Sequence, residues 1–341
     1  MFKYIIIIKP LGFLYGSAGA FLSPANLVGR SGEKFPPSAA TLSGLFFSSY
    51  LARQDTTEKE KKCIHQELRE NLHTAGPFWA KSKYEQDFYV PIPWHRIIAG
   101  TREKDRDEWV LDKHGNWQRQ REYQEKEDIL EPAFSWQTIT SWGKKKPECA
   151  THPWDYVSFL HPDMKEDERH TKAKDGLFLE NAVQMPEDTC LVYLSTHGLE
   201  AGWYRFGGEN HIVEIECQEI KKKEVLQLLE KEIKQAFALI TPAVWGSTRF
   251  SYRCPQHPDF DGVKLLTDKA IPHRFVSSGR LGRGRYAVPA GSVYVLEKPL
   301  NKPWSQFKEE DYFPQEGYSL KKIGCGLCLP IEISGLATNQ N

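Results

Sequence analysis

Four consecutive isoleucines, Ile5 to Ile8, limit the fold of this chain more than any other stretch. The run is far shorter than the ~20 apolar residues a membrane helix needs, and Lys9 and Pro10 close it. An apolar run of this length, bounded by a proline, reads as a buried strand. With Lys3 ahead of it and small residues after it, the segment faintly imitates a signal peptide. The Lys9-Pro10 interruption favours the strand, and no later segment reads as a membrane span.

After this strand comes a long glycine- and proline-containing loop, ending in "FPPSAATLSGLFFSSYLAR". Pro36 and Pro37 stop the incoming chain, Ser38 is a suitable N-cap, and Leu42, Leu45, Phe46 and Tyr50 recur at helical spacing. The loop carries Arg30 and Lys34 just ahead of that helix start. This arrangement fits either a phosphate site or a solvated loop. Mixed charges from Asp55 to Glu70 read as an exposed helix or flexible segment. A second charged tract from Thr101 to Asp128, containing Trp109 and Trp117, reads as an extended hairpin or lid inserted into the first domain. Between 142 and 148, "WGKKKPE" is a turn whose Lys144 to Lys146 either touch phosphate or are merely solvated.

The second half repeats the order of elements. "TCLVYLSTH" is a strand, and "GWYRFGGENHIVEIEC" a hairpin turning at Gly207 to Asn210. "EIKKKEVLQLLEKEIKQAFAL" reads as an amphipathic helix with Val225, Leu229, Ile233 and Phe237 on one stripe. Further strands are expected near 289 to 297 and 318 to 334. The alternation predicts an α+β fold of two ferredoxin-like domains, 1–180 and 181–341, with inserted loops.

Functional readings centre on "RLGRGRYAVPAGSVYV". Arg280, Arg283 and Arg285 alternate with glycines, including Gly282 and Gly284, and Arg274 adds a fourth positive charge. No acid lies between Ala270 and Leu296. Glycine admits close backbone approach, and arginine brings forked donors suited to phosphate oxygens. A strand rather than a helix follows, and no Gly-Lys-Ser/Thr ending is present, so neither a dinucleotide fingerprint nor a P-loop is matched. The loop fits extended nucleic acid, with Tyr286 as an adjacent stacking platform, or else an acidic protein surface. The 341-residue chain carries 45 basic and 45 acidic residues, so a nucleic-acid surface must be a local patch.

Other constellations are weaker. "FGGENH" offers one acid, Glu209, where two-metal phosphoryl chemistry needs several. Cys254, His257, Cys325 and Cys328 have residue types that suit zinc. Gly324 to Leu329, however, reads as a glycine loop opening an apolar strand, where cysteines act as small hydrophobes. No cofactor, metal or catalytic residue is expected. The odd count of seven cysteines fits reduced thiols in a cytoplasmic protein.

Taken in order, "FLSP", "FPPSAATLSGLFFSSYL", "RHTKAKDGLFLENAVQM", "FGGENHIVEIE", "YAVPAGSVYVLEKP" and "GYSLKKIGCGLCLPI" resemble the third subunit of the Cmr (type III-B CRISPR) effector complex, of the RAMP superfamily. The resemblance covers most of the chain apart from 53–76 and 101–150, with VPAGSVY and the Pro-Pro helix entry its most specific pair. It implies two ferredoxin-type domains and no catalytic role. It also implies a place beside the large polymerase-like subunit and other RAMP subunits, where the 5′ tag of the guide RNA is held in antiviral defence. The family's glycine-rich loops map to Arg280, Arg283 and Arg285 and to Gly324 and Gly326. This chain has GRLGRGRY where relatives often carry a tryptophan and an Arg-Pro-Lys stretch. The rival expectation from another class is a RAMP endoribonuclease processing precursor guide RNA, marked by a histidine within hydrogen-bond reach of a second polar group in the RNA cleft.

Overall fold

A computed structural model describes residues 1–15, 35–52, 57–125, 128–162, 164–165, 167–168, 170–172, 176–207, 210–247, 249–274, 276–277, 280–315 and 317–334. Arg30 and Lys34 lie outside these residues. So do Gly208 and Glu209 of the expected hairpin turn, and the side chains of Arg280 and Leu281.

The isoleucine run forms the strand Tyr4–Pro10, paired antiparallel on both sides. Ile5 to Ile8 are opposite Leu194, Tyr193, Val192 and Leu191, and all four isoleucines are fully buried. Successive side chains on a strand point to opposite faces, so a continuous apolar run requires cover on both. Ile6 and Ile8 join Leu42, Leu45 and Phe46 of the helix Ala39–Leu51, whereas Ile5 and Ile7 join a core that includes Phe237, Tyr294 and Leu329 from far along the chain.

The first sheet has eight strands in the order Gly202–Phe206, His211–Glu219, Tyr4–Pro10, Thr189–Ser195, Thr74–Lys81, Tyr89–Pro91, Trp136–Thr138, Cys149–Ala150. Its second to fifth strands, His211–Glu219 through Thr74–Lys81, follow the ferredoxin-like 4-1-3-2 order in chain sequence. The second sheet is Lys264–Leu266, Val293–Val295, Ala236–Leu239, Cys328–Pro330, the same order read from the other edge. The expected α+β fold with two ferredoxin-like units is therefore present, although its helices are redistributed. Two helices, Ala39–Leu51 and Glu58–Asn71, lie between the first and second strands of the first unit. Among the described residues only short helical pieces lie between the strands of the second unit, the longest being the four-residue Glu309–Tyr312, while the seven-residue Lys223–Leu229 precedes its first strand.

Two sequence expectations change. Strands Thr189–Ser195, Gly202–Phe206 and His211–Glu219 belong to the first sheet, so its span runs past a boundary at 180/181. The reason is topological, because Thr189–Ser195 lies between Tyr4–Pro10 and Thr74–Lys81. The single amphipathic helix expected from Val225 to Phe237 ends at Leu229. Ala236–Leu239 instead forms an inner strand with every residue buried, Phe237 and Leu239 facing one core and Ala236 and Ala238 another. Four apolar residues fit either period, and pairing with strands on both sides decides for the strand.

That second face identifies the role of the charged tract after Thr101. Strands Arg96–Ile98, Arg106–Leu111 and Trp117–Arg119 form a small sheet. Its Leu111 and Trp117 cover Ala236, Ala238, Val293 and Val295. Asp107, buried under this insert, accepts from Arg119 Nη1 at 3.1 Å and from the Tyr123 hydroxyl at 2.7 Å. The molecule is thus layered as helices, first sheet, second sheet and insert, while Trp203 and Ile212 at one edge of the first sheet stay exposed.

Candidate nucleic-acid interface

The arginine-glycine stretch is an excursion between the second and third strands of the second unit. Ile271–His273 pairs with Arg285–Ala287, and Val276–Ser277 with Arg280–Leu281. Arg274 donates from Nε to the Gly282 carbonyl at 2.6 Å and draws the excursion together. Pro272, His273, Arg274, Gly284, Arg285 and Tyr286 line a cavity of about 340 Å³. Gly284 is open, with nothing within 4 Å of an added Cβ. Arg283 is exposed, and Tyr286 leaves 63% of its surface to solvent.

Arg285 is placed differently from a phosphate clamp. It is 6% exposed and donates from Nη1 to the Ser247 carbonyl at 3.0 Å. Ser247 belongs to the tight turn joining Trp245–Gly246 to Ser251–Tyr252. At this turn Gly246 has φ +113°, and a Cβ there would meet the Phe250 carbonyl at 2.3 Å. The backbone NH of Tyr286 also donates to Ser251 Oγ at 3.2 Å. Arg285 therefore fastens a second hairpin beside the arginine excursion.

That hairpin brings Arg249 and Phe250, which sequence reading did not single out. Phe250 is 54% exposed, and the Arg249 guanidinium lies 5.2 Å from its ring centre. The available signal was the basic-aromatic stretch "STRFSYR", which lacks the glycines that drew notice to the later loop. Phe250, Tyr286, Arg249, Arg274 and Arg283 form a basic-aromatic ledge.

Gly324 and Gly326 do not reach this ledge. Both are buried in left-handed conformations, φ +69° and +68°. A Cβ on Gly324 would lie 2.5 Å from Ala75 Cα, and one on Gly326 would lie 2.6 Å from the Trp245 ring. The Gly324 carbonyl accepts from Thr241 Oγ1 at 2.6 Å. The expected RNA cradle is a packed seam between the two sheets, with glycine required by space as well as by φ.

Cys325 and Cys328 are buried in this seam. Burial pushes the Cys325 thiol up to about 12, and its sulfur accepts from the Val244 NH. Among the described residues no three His, Cys, Asp or Glu side chains are grouped to hold a metal ion. His257 has polar neighbours, but its Nδ1 accepts from the Asp259 NH at 3.2 Å and caps the turn Pro258–Phe260. Lys302 Nζ and the Tyr312 hydroxyl both donate to the Asp259 carboxylate. Burial opposes Asp259 ionisation, yet these donors hold its carboxyl below the usual range, as expected for a structural ion cluster.

No described helix is long and apolar enough to cross a membrane. No family model and no characterised protein sequence matches the chain. Among solved structures, a chain of a type III-B Cmr-beta complex bound to cognate target RNA is 13% identical, with 86% of each chain covered and a TM-score of 0.49. A chain of the Csm3–Csm4 subcomplex of a type III-A CRISPR-Cas interference complex is 10% identical, with 88% of this chain and 99% of that chain covered and a TM-score of 0.40. A chain of the Csm1–Csm4 cassette in complex with pppApA is 10% identical, with 98% and 99% covered and a TM-score of 0.39.

Proposed function

We infer that this chain is a non-catalytic RNA-binding subunit of a type III CRISPR effector complex, and that it holds the 5′ tag of the guide RNA beside the large polymerase-like subunit. The ledge carries this reading: two exposed rings, Tyr286 and Phe250, on fastened hairpins with arginines between and beside them. Single-stranded RNA is gripped by stacking splayed bases on aromatic rings while cations follow the backbone. In RNA-guided complexes sequence is read by base pairing, and protein needs to recognise only backbone and shape. The resemblance of the ordered motifs to the third Cmr subunit is what favours this complex. Arg280 remains with the ledge as a backbone contact, and Arg30 and Lys34 as a separate phosphate contact.

The test is binding of a fluorescent single-stranded tag RNA to the full chain across a salt series. Each base stacked on an aromatic ring contributes about 1–3 kcal/mol. The double variant Phe250→Ala, Tyr286→Ala should therefore weaken binding at least tenfold, and unchanged affinity would overturn the reading. The same incubations should leave the RNA intact, with and without magnesium. Cleavage that survives repurification and disappears on replacing one histidine would make the chain a nuclease.

A further inference from the structure

The Lys144–Lys146 turn has a second structure behind it. Arg96 Nη2 donates to the Lys144 and Lys145 carbonyls at 2.8 and 3.3 Å, and Arg106 Nη1 to the Lys145 carbonyl at 2.9 Å. Trp142 Nε1 donates to the Pro330 carbonyl at 2.9 Å and fixes the start of the turn on the second sheet. Two guanidinium groups thus support a backbone that displays three exposed ammonium groups. Among the described residues none of the three lysines makes an ion pair. Glu108, 3.8 Å from Arg96 Nε, is the acid paired to this cluster. Arg106 Nε is buried with no hydrogen-bond partner. Three ammonium groups on one pinned turn, with Arg106 and the Glu108-paired Arg96 behind it, repel one another, and an external polyanion lying across the turn relieves that repulsion.

The turn is connected to the ledge. Trp94, two residues before Arg96, is 38% exposed and donates from Nε1 to the Ala290 carbonyl at 3.1 Å. Its ring lies against Gly291, where a Cβ would meet it at 2.3 Å. Ala290 and Gly291 follow Tyr286 by four and five residues. Trp94 is thus a partly exposed ring held on the segment that follows Tyr286, and Arg96, whose side chain is 10% exposed, supports the lysine turn from beneath. Rings and cations in such proximity are what a single strand tracks along.

We propose that the Lys144–Lys146 turn is a second phosphate-backbone site, occupied by the same single RNA strand that stacks on Tyr286 and Phe250, with Trp94 between them. This proposal rests on the RNA-binding reading above and extends it to the length and path of the bound strand.

Two oligouridylates test it on the full chain, of about 4 and about 16 nucleotides, the limits of a single-stranded site. Each single-strand phosphate contact contributes about 0.7 to the log–log salt slope. The triple variant Lys144→Ala, Lys145→Ala, Lys146→Ala should flatten the slope for the long RNA by roughly 2 and leave the short one unchanged. The variant Arg249→Ala, Arg274→Ala, Arg283→Ala should weaken both. If the lysine variant leaves long-RNA binding unchanged while the arginine variant weakens both, this proposal falls and the RNA-binding reading stands. An equal loss on both RNAs in the lysine variant also overturns the single-track proposal. If neither variant changes either RNA, the RNA-binding reading itself falls.

Discussion

Arg283 and Arg285 are two residues apart and do different work. Arg283 is exposed, and its replacement by alanine should change stability by no more than about 0.5 kcal/mol. Arg285 is buried against the Ser247 carbonyl, and truncation leaves that acceptor without this donor, a loss of about 1–3 kcal/mol. Urea midpoints of the two variants should differ accordingly. Sequence spacing could not separate them, because alternating arginines in a glycine loop look equivalent until a partner strand assigns each a side. The same holds for Gly324 and Gly326, whose need for glycine was visible but whose neighbours, Ala75 and Trp245, lie far away in sequence. A pH effect belongs at this scale too. Burial, with Arg96 nearby, pushes His95 down to about 3. Its unfolded value is about 6.5, so the unfolded chain binds the extra proton and stability falls as pH drops from about 6.5 toward 3. Near pH 5 the loss from this residue is about 2 kcal/mol. Folded-state NMR should show the His95 ring neutral there, and a ring that titrates near 6.5 would refute the assignment.

Among the elements, strands that repeat a strict alternation or a long apolar run were readable from the sequence, as Tyr4–Pro10 and Thr189–Ser195 show. So was the helix Ala39–Leu51, because Pro36, Pro37 and Ser38 mark its start and its apolar stripe is continuous. The region from Lys223 to Leu239 was not, because apolar residues at helical spacing continue across a break at Glu230. The sequence marks the charged insert as a hairpin or lid on the first domain, whereas it is a three-stranded sheet on the second sheet, a place set by contacts more than 100 residues away in sequence. Its Leu111, with Trp117 beside it, makes the apolar contact between the insert and the second sheet. Leu111→Ala should destabilise the protein by about 2 kcal/mol or more, as core leucine truncations do. Hydrogen exchange should report the loss in Val293–Val295 as well as in the insert. Faster exchange confined to the insert would show that it is not part of the second sheet's core.

For the whole molecule, one core joins both sheets: Ile5, Ile7 and Phe78 of the first pack with Phe237, Tyr294 and Leu329 of the second. Units that share a core unfold together, so calorimetry should show one transition, and two resolved transitions would refute the shared core. A fragment ending at residue 180 should not fold, because it lacks the strand between Tyr4–Pro10 and Thr74–Lys81. Dispersed amide resonances from that fragment would contradict this.

The late arrival of that middle strand also bears on synthesis. A ribosome adds about 5–20 residues per second. The isoleucine run precedes its partners Thr189–Ser195 and His211–Glu219 by more than 180 residues. For roughly 10 seconds or more, the nascent chain therefore presents an unpaired, branched apolar segment. A chaperone that holds exposed strands would meet this protein at the isoleucine run and could release it only when those later strands emerge.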